Sequence, residues 1–316
     1  MTGSAWDSGD APGGAWPAVG AVVLHYGRPE DTRRCLRSLA ATRYPGLDVV
    51  LVDNGAEEYG PIDLAEESGL ARVVAAPRNL GFSEGANVGM RELLARGCEY
   101  VLLCNNDAQI APDALHVLVR RATSDPRIAM VSPKILELER PDVLWFAGAT
   151  YDQRTASAVH VGLGERDRGQ YDAGGPTSRL TGCVMLVSRV GIERVGLLDP
   201  RYFLYYEDVD WSLRMRRAGL VAWYEPTARA WHHAGPRSID GWAYYDMRNR
   251  LLTLERHGGA RGWRRAHLEA VLAVVKAVAR MTADRGRRAE MRARLAGVRD
   301  YVAGRHGPRE AGHGMR

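Results

Sequence analysis

Residues 100–107 read Tyr100-Val101-Leu102-Leu103-Cys104-Asn105-Asn106-Asp107, an apolar run that ends directly in two amides and a carboxylate. A short apolar run bounded by polar turn residues is the pattern of a strand covered on both faces. The pattern recurs upstream. Ala18 to Leu24 is Val-rich, Val49-Val50-Leu51-Val52 ends in Asp53-Asn54-Gly55, and Val73-Val74-Ala75 is a third run. Helix-like stretches separate these runs. One is opened by Pro29, with Cys35, Leu36 and Leu39 at helical spacing. Another covers 83–96, and a third covers 112–121 with Leu115, Leu118 and Val119 on one face. Buried strands alternating with helices predict a mostly parallel α/β sheet with right-handed crossovers. Ligands of such sheets bind at the carboxyl ends of the strands, where Asp53 and Asp107 both stand.

The second half is less regular. Residues 145–164 alternate and are punctuated by Gly, which fits a hairpin or a loop over the site. Thr181 to Val187 is a strand candidate, 208–219 a helix stopped by Gly219, and 242–256 and 261–301 two or three further helices. Glu207-Asp208-Val209-Asp210 places three carboxylates within four residues, after Tyr206 and before Trp211. One reading is an acidic first turn favoured by the helix dipole. The other is chemistry. Phe203, Tyr205, Tyr206 and Trp211 would wall a sugar ring, and desolvation would raise a carboxylate pKa toward that of a base able to deprotonate an alcohol.

Asn105-Asn106-Asp107 is open to the same two readings: a capped turn before Pro112, or oxygen donors for Mg²⁺ or Mn²⁺ against a diphosphate. Trp231-His232-His233 follows the strand-like 221–224. A lone His is usually structural, but beside a metal carboxylate it is a candidate ligand or phosphate contact. Arg237 and Ser238 lie just beyond and are candidates to reach phosphate. The two acidic clusters together point to sugar transfer from a nucleotide donor.

The chain of 316 residues has room for one large domain or two small ones. Residues 1–17 are rich in Gly, Ala, Ser and Asp and read as a disordered lead-in. No signal peptide and no transmembrane helix are expected. Cys35, Cys98, Cys104 and Cys183 form no Cys-x-x-Cys pair, so reduced core thiols and a cytoplasmic location are expected. From Arg256 to Arg316 there are 15 basic and 5 acidic residues, a net of +10 against +5 for the whole chain. This stretch is either a solvated helical face or an attractor of anionic membrane or of a phosphate-bearing acceptor. One Trp and one Tyr within it offer little base stacking, so nucleic acid is not an expected partner. Leu268, Val271, Leu272, Val275 and Val278 fall at helical spacing, and packing on protein is the commoner fate of such a stripe. The Gly-rich stretch 79–89 opens a helix but does not follow the first strand. There His25-Tyr26-Gly27-Arg28-Pro29 lacks Gly-x-Gly-x-x-Gly, which disfavours a nicotinamide enzyme.

The ordered set Val22-Val23-Leu24-His25-Tyr26, Val52-Asp53-Asn54-Gly55, Asn79-Leu80-Gly81-Phe82 through Asn87-Val88-Gly89, Leu103-Cys104-Asn105-Asn106-Asp107, Gly182-Cys183-Val184-Met185, Phe203 through Trp211 and His232-His233-Ala234-Gly235 resembles the family 2 glycosyltransferases of GT-A fold, in their bacterial rhamnosyltransferase-like branch. The resemblance covers roughly residues 18–255. It implies a GT-A catalytic domain over 18–241, a helical extension over 242–303 and a flexible tail over 304–316. It implies inverting transfer from a dTDP- or UDP-sugar, dTDP-L-rhamnose first, to a hydroxyl on a saccharide, lipid-linked glycan or secondary metabolite. The alternative is a nucleotide-sugar-binding protein without catalysis, against which the intact Glu207-Asp208 pair argues.

Asp208 would be the general base, with Glu207 beside it. Asp107 would be the metal carboxylate, and His232 the metal- or phosphate-contacting histidine. His25, Tyr26, Gly27, Asp53, Asn79, Gly81, Gly85, Asn87, Asn105, Asn106 and Arg237 would contact the nucleotide-sugar. Asn105 replaces the first aspartate of the family's Asp-x-Asp, and the run Gly235-Pro236-Arg237-Ser238 is one residue longer than the common Gly-x-Ser. A homodimer and a peripheral contact with the inner membrane face through the basic helices are further candidates.

Overall fold

The computed structural model describes residues 15–55, 61–233, 239–283 and 287–309. Arg237 therefore lies outside the described residues. β1 (Val19–His25), β2 (Asp48–Asp53), β3 (Ala71–Ala75) and β4 (Tyr100–Asn105) form a parallel block in the order β4-β1-β2-β3. The centres of β1, β2 and β4 are buried throughout, as their unbroken Val and Leu runs require. α1 (Pro29–Ala40), α2 (Pro61–Ser68) and α3 (Gly81–Ala95) make the connections.

Beyond β4 the sheet changes direction. β11 (Val184–Ser188) is antiparallel to β4 and to β6 (Ile128–Glu137), and β12 (Val221–His232) runs parallel to β6. Short β5 (Ala108–Ile110) pairs with β12, β7 (Leu144–Phe146) pairs with β6, and β10 (Gly175–Pro176) adds to the edge. β8 (Ala149–Asp152) and β9 (Ser157–His160) form a separate hairpin within the region expected to hold one. α4 (Ala114–Thr123), α5 (Arg189–Val195) and α6 (Glu207–Arg217) complete this part.

Two strands escape the sequence reading. β6 is buried along its whole length yet contains Ser132, Pro133 and Lys134. Lys134 is 1% exposed and ion-pairs with Asp167 at 2.8 Å and with Asp172, so a buried charge interrupts the apolar pattern. β12 is expected only at 221–224 but continues to His232, past an irregularity between Glu225 and Arg229.

α7 (Ile239–His257), α8 (Gly262–Ala283) and α9 (Arg288–Val302) pack on one another. Asp300 on α9 ties α7 and the residues after α9 together, accepting hydrogen bonds from Tyr244 at 2.7 Å and from Arg305 at 2.6 Å. α8 buries only its small residues Ala266, Ala270 and Ala277. Leu268, Val271, Leu272, Val275 and Val278 are exposed, contrary to the expectation that this row packs on protein. Alanines let α8 approach its neighbours closely, which turns the larger apolar side chains outward. Among the described residues no helix is long and apolar enough to cross a membrane. The four cysteines are buried and free.

Candidate active site

β1 lies between β2 and β4, so the ends of three strands stand in a row. His25 pairs with Asp53, and Leu24 pairs with Asn105. His25 is fully buried, with Nδ1 2.8 Å from Thr32 Oγ1, an oxygen that also accepts from Asn106 Nδ2 at 3.0 Å. Burial lowers the His25 pKa, against the pull of Asp53, and favours the neutral ring. Tyr26 is 57% exposed at the lip of this row. Asp53 accepts from the Gly55 amide at 3.1 Å.

β5 and β12 bring His232 to Asp107. His232 pairs with Ala108 across the two strands, and the His233 amide donates to the Asp107 carbonyl at 3.0 Å. His232 Nε2 then stands 3.2 Å from Asp107 Oδ1, and Trp145 packs on the imidazole with ring centroids 4.4 Å apart. Burial alone would raise the Asp107 pKa, but the neighbouring His232 overrides it and holds the carboxyl below its ordinary value. Asn105 Oδ1 and His232 Nδ1 are buried without a hydrogen-bond partner among the described residues, and Asp107 Oδ1 meets His232 Nε2. Buried polar atoms are normally satisfied, so this group is fitted to receive something. A carboxylate, an amide oxygen and an imidazole suit Mg²⁺ or Mn²⁺. No set of three or more His, Cys, Asp or Glu side chains converges for a metal among the described residues. His233 takes another path, pairing with Glu139 and lying 2.9 Å from Arg28.

The Gly-rich stretch builds a wall of this cleft. Asn54, 2% exposed, bonds Asn79 at 3.1 Å, the Gly81 carbonyl at 3.2 Å and the Leu80 amide at 2.9 Å. The amides of Phe82 and Ser83 at the start of α3 donate to the Phe203 carbonyl at 2.7 and 3.3 Å. Gly81 is at φ +74, and a Cβ there would sit 2.4 Å from that carbonyl. Gly85 faces Leu24 and Asn54. Asn87 is 1% exposed and clamps both the amide and the carbonyl of Leu198. Asn79, Gly81, Gly85 and Asn87 thus support the wall through contacts with the protein itself.

The acidic cluster opens α6. Phe203, Tyr205 and Tyr206 all adopt positive φ, at 61°, 67° and 72°. Such non-Gly backbone costs roughly 1–3 kcal/mol per residue and persists only where the surroundings enforce it. Asn249 on α7 does the enforcing. It is fully buried, and its Nδ2 lies 2.7–2.8 Å from the carbonyls of Tyr202, Leu204 and Tyr205. Arg248 beside it donates to the Tyr202 carbonyl at 3.0 Å. Neither residue was found from the sequence, because an Asn and an Arg inside a helix carry no signal of what they hold.

The three carboxylates have different surroundings. Asp210 is fully buried among His257 at 2.7 Å, Arg214 at 2.8 Å and Arg256 at 3.6 Å. Burial pushes its pKa up, and these partners more than reverse the shift. Glu207 is 5% exposed; burial, then the Asp208 charge, push it well above the usual carboxylate range. Asp208 is the more accessible, with its Oδ2 accepting from the Gly182 amide at 3.1 Å and lying 3.6 Å from Arg179. Arg179 is another residue that the sequence did not single out. The expected aromatic wall is not found as drawn. Trp211 is fully buried and donates to the Gly196 carbonyl at 2.8 Å, and Tyr206 donates to Ala156 at 3.1 Å. Both serve the core, since each ring hangs from the inner face of α6 or its cap.

The two clusters meet at one short segment. The Gly182 amide holds Asp208, and the next residue, Cys183, accepts from the Asn105 amide at 2.8 Å. Sequence comparison matches residues 17–251 to the family described as glycosyltransferase like family 2. The chain is 26% identical over 271 residues to the N-acetylglucosaminyl-diphospho-decaprenol L-rhamnosyltransferase of Mycobacterium tuberculosis, covering 78% of this chain and 86% of that one. It is 29% identical over 297 residues to galactofuranosyltransferase GlfT2 of Mycolicibacterium smegmatis, covering 83% of this chain but 44% of the relative. Its fold matches a mannosyltransferase of Pyrobaculum calidifontis solved with GDP-Man and Mn²⁺, at TM-score 0.57 and 15% identity, over 90% of this chain and 87% of that one.

Replacing Asn249 by Ala takes this donor from the Leu204 and Tyr205 carbonyls beside strained backbone, while the Tyr202 carbonyl keeps Arg248. It is expected to lower stability by about 1–3 kcal/mol, read as a shift of the urea midpoint, whereas an unchanged midpoint would remove Asn249 from this role.

Proposed function

Because the chain belongs to the glycosyltransferase-like family 2, in its rhamnosyltransferase-like branch, and has the GT-A fold, we propose that it moves a sugar from a nucleoside diphosphate to an acceptor hydroxyl with inversion. The supporting observation is the Gly182–Cys183 segment, which holds a base-like carboxylate and a diphosphate-type site on adjacent residues. The likeness to the L-rhamnosyltransferase favours dTDP-L-rhamnose as donor and a lipid-linked saccharide as acceptor.

In this reading Asp53 and Tyr26 line the base and ribose end of the donor, with fully buried His25 behind them rather than in contact, and Asn105 and Asn106 beside the diphosphate. Asp107, His232 and the Asn105 oxygen would hold Mg²⁺ or Mn²⁺. When bound, the cation neutralises charge on the departing diphosphate. Asp208 takes the acceptor's hydroxyl proton at Oδ1 or Oδ2, held in place by the Gly182 amide and Arg179. Burial, then the Asp208 charge, hold the Glu207 carboxyl well above the usual carboxylate range. Residues 18–241 would be the catalytic part and 242–303 the helical extension, but α7 already begins at Ile239, and residues 304–309 pack on it through Gly307 and Arg309 instead of forming part of a flexible tail. The extension braces the loop before Asp208 through Asn249 and Arg248.

The Asp208→Asn variant keeps shape and loses basicity. Its kcat is expected to fall about 10²–10⁴-fold with donor binding preserved, measured as release of nucleoside diphosphate. Near-normal turnover would remove Asp208 from this role. The exposed row on α8, with Arg261, Arg264, Arg265 and Arg280 on or beside the helix, fits the surface of an anionic membrane. Each nearby cation contributes about 1 kcal/mol to such binding. Sedimentation with anionic vesicles is expected at low salt and is lost at high salt or with neutral lipid. Protein left in the supernatant under all four conditions would contradict a membrane contact.

A further inference from the structure

A cavity of about 330 Å³ lies apart from Asp107 and His232, between β9, α7, α8 and α9. Arg250 and Asp246 line it from α7, Lys276, Arg280 and Glu269 from α8, and Arg294 from α9. The two carboxylates are already engaged, Asp246 with Arg294 at 3.1 Å and Glu269 with Arg250 at 3.7 Å. Arg294 is shared between Asp246 and Glu290, the latter at 3.1 Å, while Lys276 and Arg280 have no ion pair among the described residues. Burial raises the pKa of Asp246, against the pull of Arg294 and Arg250. Tyr206, the residue immediately before Glu207 and Asp208, forms part of the wall. The cavity therefore shares backbone with the proposed base but not with the donor site. Leu272 precedes Lys276 by one helical turn and is exposed, whereas Val271, Val275 and Val278 project from the far side of α8.

We infer that this cavity binds a phosphoryl group of the acceptor, presenting the acceptor's sugar to Asp208. The inference rests on the transferase reading for the role of the bound group, though not for the binding itself. Arginine and lysine from three helices suit the several oxygens of a phosphate or diphosphate. Exposed Leu272, one turn from Lys276, offers an apolar contact to a hydrocarbon chain. The shared chemistry is a phosphate ester, carried by a lipid or by a soluble sugar.

The test is calorimetric titration of the full chain with geranyl diphosphate and with inorganic pyrophosphate, both with dTDP and Mn²⁺ present to fill the donor site. The Lys276→Glu, Arg280→Glu double variant is expected to bind geranyl diphosphate at least tenfold more weakly, while Asp107→Ala binds it as the parent does. Both altered side chains are exposed, and a milder Lys276→Gln variant guards against misfolding. Geranyl diphosphate binding more tightly than pyrophosphate identifies a lipid-borne group; equal binding identifies a soluble phosphorylated acceptor. The inference is overturned if the parent binds neither probe, if the charge-reversal variant binds like the parent, or if Asp107→Ala alone loses the probe. Since binding is read without turnover, such a failure leaves the transferase reading intact, and loss of transfer activity would not hide a positive result.

Discussion

The hydrogen bond from the Gly182 amide to Asp208 and the adjoining bond from Asn105 to the Cys183 carbonyl hold together two acidic clusters that are distant in the chain. A hydrogen bond to a charged group contributes about 1.5–3 kcal/mol, enough to fix a side chain but not to position a helix. The positioning comes from around it. The strained turn at Phe203, Tyr205 and Tyr206 aims the start of α6, the Phe203 carbonyl caps α3, and Asn249 holds the turn from outside. Gly182 has little room to change, because a Cβ there would lie 3.1 Å from the Phe82 ring.

The parallel block was legible because its strands are unbroken apolar runs buried on both faces, and because both carboxylates follow strand-like or helix-like patterns. β6 and the far half of β12 were not legible. Their buried Lys134 and the Glu225-Pro226-Thr227 interruption depend on partners far away in the chain. Within the site, the neighbourhood of Asp107 and His232 could be proposed from residue type and order. Arg179, Arg248 and Asn249 could not, since each acts through a carbonyl or carboxylate that only tertiary structure brings near. The aromatic residues around Glu207 misled the reading for the converse reason: an amphipathic helix start places aromatics toward the core as readily as toward a cleft.

The C-terminal helices connect to the site physically as well as in sequence. α7 supplies Asn249 to the loop before Asp208, and His257 and Arg256 to Asp210, so the first turn of α6 is clamped on both sides. The same helix contributes Arg250 to the charged cavity, and α8 turns its valines to solvent. A single helical unit thus braces the proposed base and presents a basic, partly apolar surface next to it.

The central claim is that the end of β4 and the start of α6 form separate donor and acceptor halves of one centre. The most direct measurement is calorimetric binding of dTDP or UDP with and without Mn²⁺, in the parent protein, Asp107→Ala and Asp208→Asn. The account predicts Mn²⁺-dependent binding that is lost in Asp107→Ala and kept in Asp208→Asn. Tight binding that ignores both Mn²⁺ and the Asp107 substitution would contradict it.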